Sequence, residues 1–407
     1  MFRERAALVA CMLLVTASFG FLQPFVPLYL EAAGLTKSSI GLVSGLGAGA
    51  ALLVQPFLGR VSDRIDARRH LMVASALLAG GAYSAYRITH GVVPFVLLTA
   101  AGVNGTMYLN AAGGVLVARI AAKGRGGHTY ASYRVWGSVG YIIVALATGL
   151  LLTRSGAGSG GGLTRAALDP VFVWGPGLFV LIAVVALLVP DRKAPTTATR
   201  SGVGPRAEAD EGLRRAAMTR FLQAFFLYEL SLYGASAYLS LFMKGLGATP
   251  LWITVTFASG VLCEVLVMTR VGLLSDLHGR RPILAVAFVV MPLRLLCYIP
   301  ATGPLWVLVV QLLHGLNFGI MGAIAVVLVN DLASDGERGT AQARLAGVGG
   351  LAVALGPALC GVIAQRLGIG AMFAAMAVVG AVGAALFLTR VPESGAVGSR
   401  SGTAEAR

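Results

Sequence analysis

The feature that leaves this chain the fewest options is an apolar run that recurs twelve times along its 407 residues. Each run is about twenty residues long, which is what a helix needs to cross roughly 30 Å of hydrocarbon. The runs begin at 6–30 and end at 368–389, with 70–88 and 282–300 the shortest. Between them lie short polar turns, and only 12% of the residues are charged against 57% hydrophobic. A soluble domain carries about 25% charge, so the pattern excludes one. The opening Met1-Phe2-Arg3-Glu4-Arg5 has the look of a secretion signal. The apolar stretch after it is too long for a signal core and no small-x-small cleavage site precedes a polar start, so it reads as the first span.

The net charge of +15 raises the question of nucleic acid, and the placement of the charges answers it. With the N-terminus inside, the segments on the cytoplasmic side hold 24 of the 32 Lys and Arg, and the outer loops hold 6. This is the positive-inside bias of an inner-membrane protein with both termini cytoplasmic. Contact with the lipid bilayer, and not with nucleic acid, accounts for the excess. Four cysteines, Cys11, Cys263, Cys297 and Cys360, lie in apolar runs without metal-ligand spacing, and no cofactor is expected.

The longest polar stretch, 190–218, is rich in Ala, Thr, Gly and Arg and reads as a cytoplasmic linker. It divides the chain into an N-terminal six-helix bundle (1–189) and a C-terminal one (219–390), followed by a cytoplasmic tail (391–407). The halves repeat each other at an offset of 213 residues: Gly34 matches Gly247, Gly59 matches Gly272, Ser62 matches Ser275, Asp63 matches Asp276 and Arg68 matches Arg281. Parallel repeats with a polar path at their interface are a common way to build alternating access. The fold expected is therefore an all-α membrane protein of twelve transmembrane helices in two pseudo-symmetric halves. It needs no second subunit, so a monomer is expected.

Gly59-x-x-x-Asp63-Arg64 followed by Arg68-Arg69 resembles the signature loop between helices 2 and 3 of the major facilitator superfamily. Gly272-x-x-x-Asp276 with Gly279-Arg280-Arg281 resembles its weaker copy between helices 8 and 9. A Gly four residues before an Asp lets a neighbouring helix approach while a carboxylate sits at the surface, able to accept from a helix end or from the arginines. The resemblance implies a cytoplasmic latch that holds the outward-open state. Gly41, Gly45 and Gly49, spaced by four, read as a close helix contact.

Charges within spans are costly and call for a role. The candidates are Arg134, Glu229, Glu264, Arg294 and His314. Their signs nearly cancel, so Glu264 or Glu229 paired with Arg294 is expected. A carboxylate that gains and loses such a partner is what a proton-coupled carrier requires. Arg134-Val-Trp136-Gly137-Ser138-Val-Gly140-Tyr141 resembles a segment of the branch containing lactose permease, nucleoside/proton symporters and phenylpropionate permease. Asn110, Glu264, Arg294 and the Leu313-His314 pair also fall where that branch has similar residues. The resemblance implies that Arg134 and Glu264 hydrogen-bond a polar substrate, that Tyr141 stacks on it, and that Arg294 and His314 tune the protonated group. Trp136 shares that segment, and Gln23, Asn104 and Asn110 are candidate cavity-lining polar groups.

The chain departs from the branch at Asn317, where the permease carries its proton-carrying Glu, and at Val115-Leu116-Val117, where its galactoside-reading Glu is missing. An amide carries no dissociable proton at physiological pH. Coupling is therefore expected through Glu229, Glu264 or His314, and galactosides are not the expected substrate. Helix 5 lacks the Gly-Pro segment typical of drug/proton antiporters, which favours import over export. The outer loops offer Glu31 and Asp169 as their acids and His90 as their histidine, without a Cys, too little for a membrane-embedded enzyme. The sequence thus points to a secondary transporter that moves a small-molecule substrate by symport with a proton, driven by the proton gradient, with drug/proton antiport and, given Asn317, uniport as the alternatives.

Overall fold

The computed structural model describes residues 2–65, 68–121, 126–157, 162–189, 208–334 and 336–393. The described residues fold into helices joined by short turns, without a strand. In chain order these are α1 (Phe2–Ala32), α2 (Lys37–Gly49), α3 (Ala51–Ile65), α4 (Arg68–Ala85), α5 (Val92–Ala121), α6 (Gly126–Arg154) and α7 (Arg165–Leu187). They continue as α8 (Glu208–Ser236), α9 (Leu239–Gly245), α10 (Pro250–His278), α11 (Arg280–Tyr298), α12 (Pro304–Gln311), α13 (His314–Leu332) and α14 (Arg338–Arg390). Nine helical segments among the described residues are long and apolar enough to cross a membrane. One of them, α14, turns back at Gly368, whose φ of 87° is left-handed, and so covers both of the last two expected runs. The expected third and seventh runs coincide with α4 and α8, which carry more polar residues at their ends.

Three expected spans are interrupted. The second breaks between α2 and α3 at Ala50, after Gly45, Gly47 and Gly49, whose low helix propensity weakens the end of α2. The seventh breaks at Ala237–Tyr238, and the tenth at Leu312–Leu313, where Leu313 N donates to Val310 O (3.1 Å) in the tighter three-residue pattern. The stretch read as linker is shorter than expected at its far end. Residues from Glu208 onward already belong to α8, rich in Ala, Glu, Leu and Arg that favour helix whatever their polarity, while 190–207 lie outside the described residues.

The 213-residue repeat is structural as well as textual. Gly34 (φ 89°) and Gly247 (φ 77°) both end a helix in the left-handed region, where a side chain is strained. Leu35 N donates to Leu30 O and Ala248 N to Met243 O, each at 3.0 Å, closing the same terminal turn. Thr36 and Thr249 then cap the next helices, accepting from Ser39 N and Trp252 N.

Candidate functional site

At one end of the molecule the N-terminal and C-terminal helices are joined across a seam. Lys244 Nζ donates to Glu31 Oε2 at 2.8 Å. These two residues are themselves 213 apart, so the pair ties together equivalent positions of the repeat. Lys37 N donates to Gln365 Oε1 (3.0 Å), Tyr238 Oη to Lys37 O (2.9 Å) and Pro357 O (3.1 Å), and Leu251 N to Thr153 Oγ1 (3.0 Å). Glycines permit this approach: a Cβ at Gly41 or Gly45 would overlap the carbonyls of Pro357 or Ala354, and one at Gly149 would overlap Thr254 Oγ1. The Gly41, Gly45 and Gly49 stripe read from the sequence is therefore the face that α2 lays on α14. We call this the joined end.

Deeper in the C-terminal helices, Arg294 is 1% exposed and held by uncharged groups. Its Nε donates to Tyr298 Oη (3.1 Å), Nη2 to Gln311 Oε1 (3.2 Å) and Nη1 to Asn317 Oδ1 (3.4 Å). Tyr298 Oη also donates to Gln311 Oε1. Asn317 Nδ2 also donates to Ala287 O (3.1 Å), and its backbone carbonyl accepts from Tyr228 Oη (3.1 Å). The expected pairing of Arg294 with Glu229 or Glu264 is thus corrected, since its polar partners among the described residues are a phenol and two amides. The reason is local. Helix α13 presents Asn317 to the guanidinium, and α12, on the other side of the break at Leu312–Leu313 in the chain, presents Gln311.

His314 lies beside this cage, 7% exposed, its ring 4.2 Å from that of Phe318 and its Nδ1 buried without a hydrogen bond. Phe318 in turn meets Tyr233 of α8 edge-on at 5.9 Å. Helix α10 approaches closely here, because Gly315 packs on Cys263 and Gly260 on Gln311 and His314. That brings Glu264 to the seam, where it interacts electrostatically with Tyr141 of α6 and Tyr233 of α8. Tyr141 Oη donates to Gln23 Oε1 of α1 at 3.0 Å. Glu229, 7% exposed, also acts on Tyr233 and Tyr228, and it makes no hydrogen bond or ion pair among the described residues.

The sequence-predicted residues thus divide. Gln23, Tyr141, Glu229, Glu264 and His314 converge on the seam, with Arg294 and Asn317 behind them in the cage. Asn110 and Trp136 (48% exposed) are exposed on their helices, and Tyr141 is buried to 3%. Asn104 is spent on Ala100 O and Gln55 (3.1 Å), a helix-packing role. The side chains of Arg134, Asp63 and Arg64 lie outside the described residues. Sequence reasoning missed Gln311 and Tyr298. The signals were present: a second amide in the apolar run that holds Asn317, and a phenol one helical turn after a buried arginine.

At the end opposite the seam, the second motif copy is bound within its own half. Arg280 pairs with Asp276, and also reaches Asp331 (3.3 Å) and Ser275 Oγ (2.9 Å). Arg281 Nε donates to Val391 O (2.7 Å), and Glu393 accepts from Arg280 N (3.0 Å) at the start of α11, where a carboxylate suits the helix dipole. In the first copy Arg68 reaches Ser62 Oγ (3.4 Å). Gly59 and Gly272, expected to admit a neighbouring helix, have no atom of another helix within 4 Å of an added Cβ among the described residues. In this conformation that close approach is not made.

A helical bundle built from two repeats, joined at one end and carrying buried ionisable groups along its seam, defines a multi-pass membrane transporter. The sequence profile of the MFS_1 like family matches residues 6–375, and the chain belongs to that family. It is 25% identical over 376 residues to an uncharacterized MFS-type transporter of Mycobacterium tuberculosis, covering 88% of this chain and 85% of that one. Lactose permease of Klebsiella oxytoca is 26% identical over 313 residues, covering 72% of this chain and 71% of the permease. Among solved structures, a D323A mutant of the nucleoside transporter NupG superposes with a TM-score of 0.79 at 15% identity, over 96% of this chain and 100% of that one. The fold is that of the major facilitator superfamily.

Proposed function

We propose that the chain is a proton-coupled symporter of a small polar organic solute. It spans the inner membrane twelve times in two six-helix halves, with both termini and the end opposite the seam facing the cytoplasm. The observation that carries this reading is that Tyr141, hydrogen-bonded to Gln23 in one half, lies close enough to Glu264 of the other for that charge to act on it. A solute there touches both halves at once, so its release is linked to their relative movement. Gln23, exposed here, and Glu264 offer polar groups to hydroxyls or amides, while Tyr141, buried to 3%, holds Gln23 in place instead of presenting a face for stacking. Similarity to a lactose permease and to a nucleoside transporter supports a polar organic cargo.

Asn317 is held by Arg294, Ala287 and Tyr228 and carries no dissociable proton, which leaves Glu229 as the group best suited to carry the proton. A buried carboxylate without a counter-ion is least costly when protonated, and rocking of the halves changes its access to water. The Arg294 cage then fixes the broken tenth span and holds a constant positive field behind His314.

The test is external pH around de-energised cells expressing the protein, with sugars, nucleosides and aromatic acids added in turn. Alkalinisation with one class supports symport. Glu229→Gln is expected to abolish the pH signal while radiolabelled solute still equilibrates, and Glu264→Gln to abolish both. Solute entry that stays proton-silent in the unaltered protein would refute the coupling, and extrusion of dye from energised cells would refute import.

A further inference from the structure

A cavity of about 940 Å³ lies at the end opposite the seam, between α8 and the start of α14, closed by Leu332 and Ala333 at the end of α13. Its two long walls are helix faces that change character together. On α8 the lining runs from Arg214 and Arg215 through Thr219 and Gln223 to Phe226 and Leu227. On α14 it runs from Glu337 and Thr340 through Arg344 to Val348 and Leu351. Eleven residues from Arg215 to Phe226, at 1.5 Å each, make the polar-to-apolar descent about 16 Å deep. That is about half of the roughly 30 Å hydrocarbon core, the depth of one leaflet.

The electrostatics favour an anion at the mouth. Three guanidiniums face one lining carboxylate, Glu337, which accepts from Ser334 Oγ (3.1 Å). Arg215 is paired with Glu211 (2.5 Å), whereas Arg344 is exposed and makes no hydrogen bond or ion pair among the described residues. The first turns of α14 add the positive end of a helix dipole. Basic anchoring of a cytoplasmic loop explains arginines at this level, but not the apolar floor of Phe226, Leu227, Val348 and Leu351 beneath them.

We propose that this cavity binds an amphipathic anion, its head among Arg344, Arg214 and Arg215 and its apolar body against Phe226, Val348 and Leu351. Two sources have that chemistry: an anionic phospholipid of the surrounding leaflet, or a free acyl anion arriving from water. None of the seam residues lines the cavity, although its inner end at Phe226 comes within one turn of Glu229 on α8, and the proposal stands whether or not the transported solute is coupled to protons.

The experiment is native mass spectrometry of the full-length protein released from dodecyl maltoside. It is first incubated with phosphatidylglycerol, with phosphatidylcholine of the same chains, or with dodecyl phosphate. Phosphatidylglycerol is expected to be retained over phosphatidylcholine, and Arg344→Gln to weaken its retention roughly fivefold, the effect of about one basic residue near an anionic surface. Thr340→Trp, at an exposed lining position, is expected to fill the mouth and displace the anion. Retention of dodecyl phosphate but not phosphatidylglycerol would support the site and assign it to free acyl anions. Equal retention of both phospholipids, with dodecyl phosphate unbound and both variants unchanged, would overturn the proposal.

Discussion

The two ends of the molecule use the same residue type to opposite effect. At the joined end, Gly41, Gly45 and Gly149 sit against backbone and side chain of the other half with no room for a methyl group. At the opposite end, Gly59 and Gly272 of the repeated motif face open space among the described residues. The ion pairs divide in the same way. Glu31 and Lys244 bridge the halves, while Arg280 is bound to Asp276 and Asp331 of its own half. The lesson is that a motif's glycines mark where helices meet in some state of the cycle, and only packing tells which contacts are made in this one.

The comparison breaks first at Gly41. A Cβ there overlaps Pro357 O and lies 2.5 Å from Tyr238 Oη, so α2 and α14 have to separate. Overpacking of this kind costs about 1–3 kcal/mol. Gly41→Ala is expected to depopulate the joined state and cut solute counterflow in proteoliposomes by about tenfold or more, with the protein still inserted. In a Thr153→Cys background, labelling by a membrane-impermeant maleimide should rise in parallel. Unchanged labelling would mean that the seam holds without this contact.

A smaller effect is expected at the ion pair. Glu31 and Lys244 side chains are 30% and 32% exposed, so the pair is worth about 0.2–1 kcal/mol and is weakened by salt. Lys244→Glu places two carboxylates at equivalent positions of the repeat and should shift the same labelling two- to fivefold, by about that energy. The exchange Glu31→Lys with Lys244→Glu should restore it. If the exchange behaves like the single variant, the pair is not what ties these positions.

Much of this comparison was legible in the sequence, for physical reasons that also mark where legibility stops. Apolar runs of span length locate helices because bilayer thickness dictates them, and the match of Gly34 with Gly247 marked two places where the structure makes the same turn. Glu31 and Lys244 escaped because a search for matching residues passes over positions that match by opposite charge. The breaks at Tyr238 and Leu313 escaped because hydropathy is blind to backbone geometry. Arg294 was expected to need a carboxylate, yet a phenol and two amides supply enough dipoles to hold a guanidinium. A count of charges does not register such neutral partners. The signature loop was recognisable as a motif, but its state was not, because a latch is a property of one conformation and a sequence serves them all.

The smallest and most telling effect is expected at Gly272, because its sign is opposite to that at Gly41. Gly272 lies inside α10, with no atom of another helix within 4 Å of an added Cβ among the described residues. Replacing a helical glycine by alanine without a clash stabilises by about 0.4–1 kcal/mol, largely by restricting the unfolded chain. Gly272→Ala is therefore expected to raise the thermal stability of the purified protein slightly and to leave maleimide access at the joined end unchanged. Transport separates the two roles a glycine can have here. If the motif closes against a helix in the other state, the added methyl has to be accommodated there, and counterflow falls although the resting protein is more stable. If counterflow keeps its rate while stability rises, Gly272 has no close-packed state, and the latch rests on Asp276 and its arginines alone.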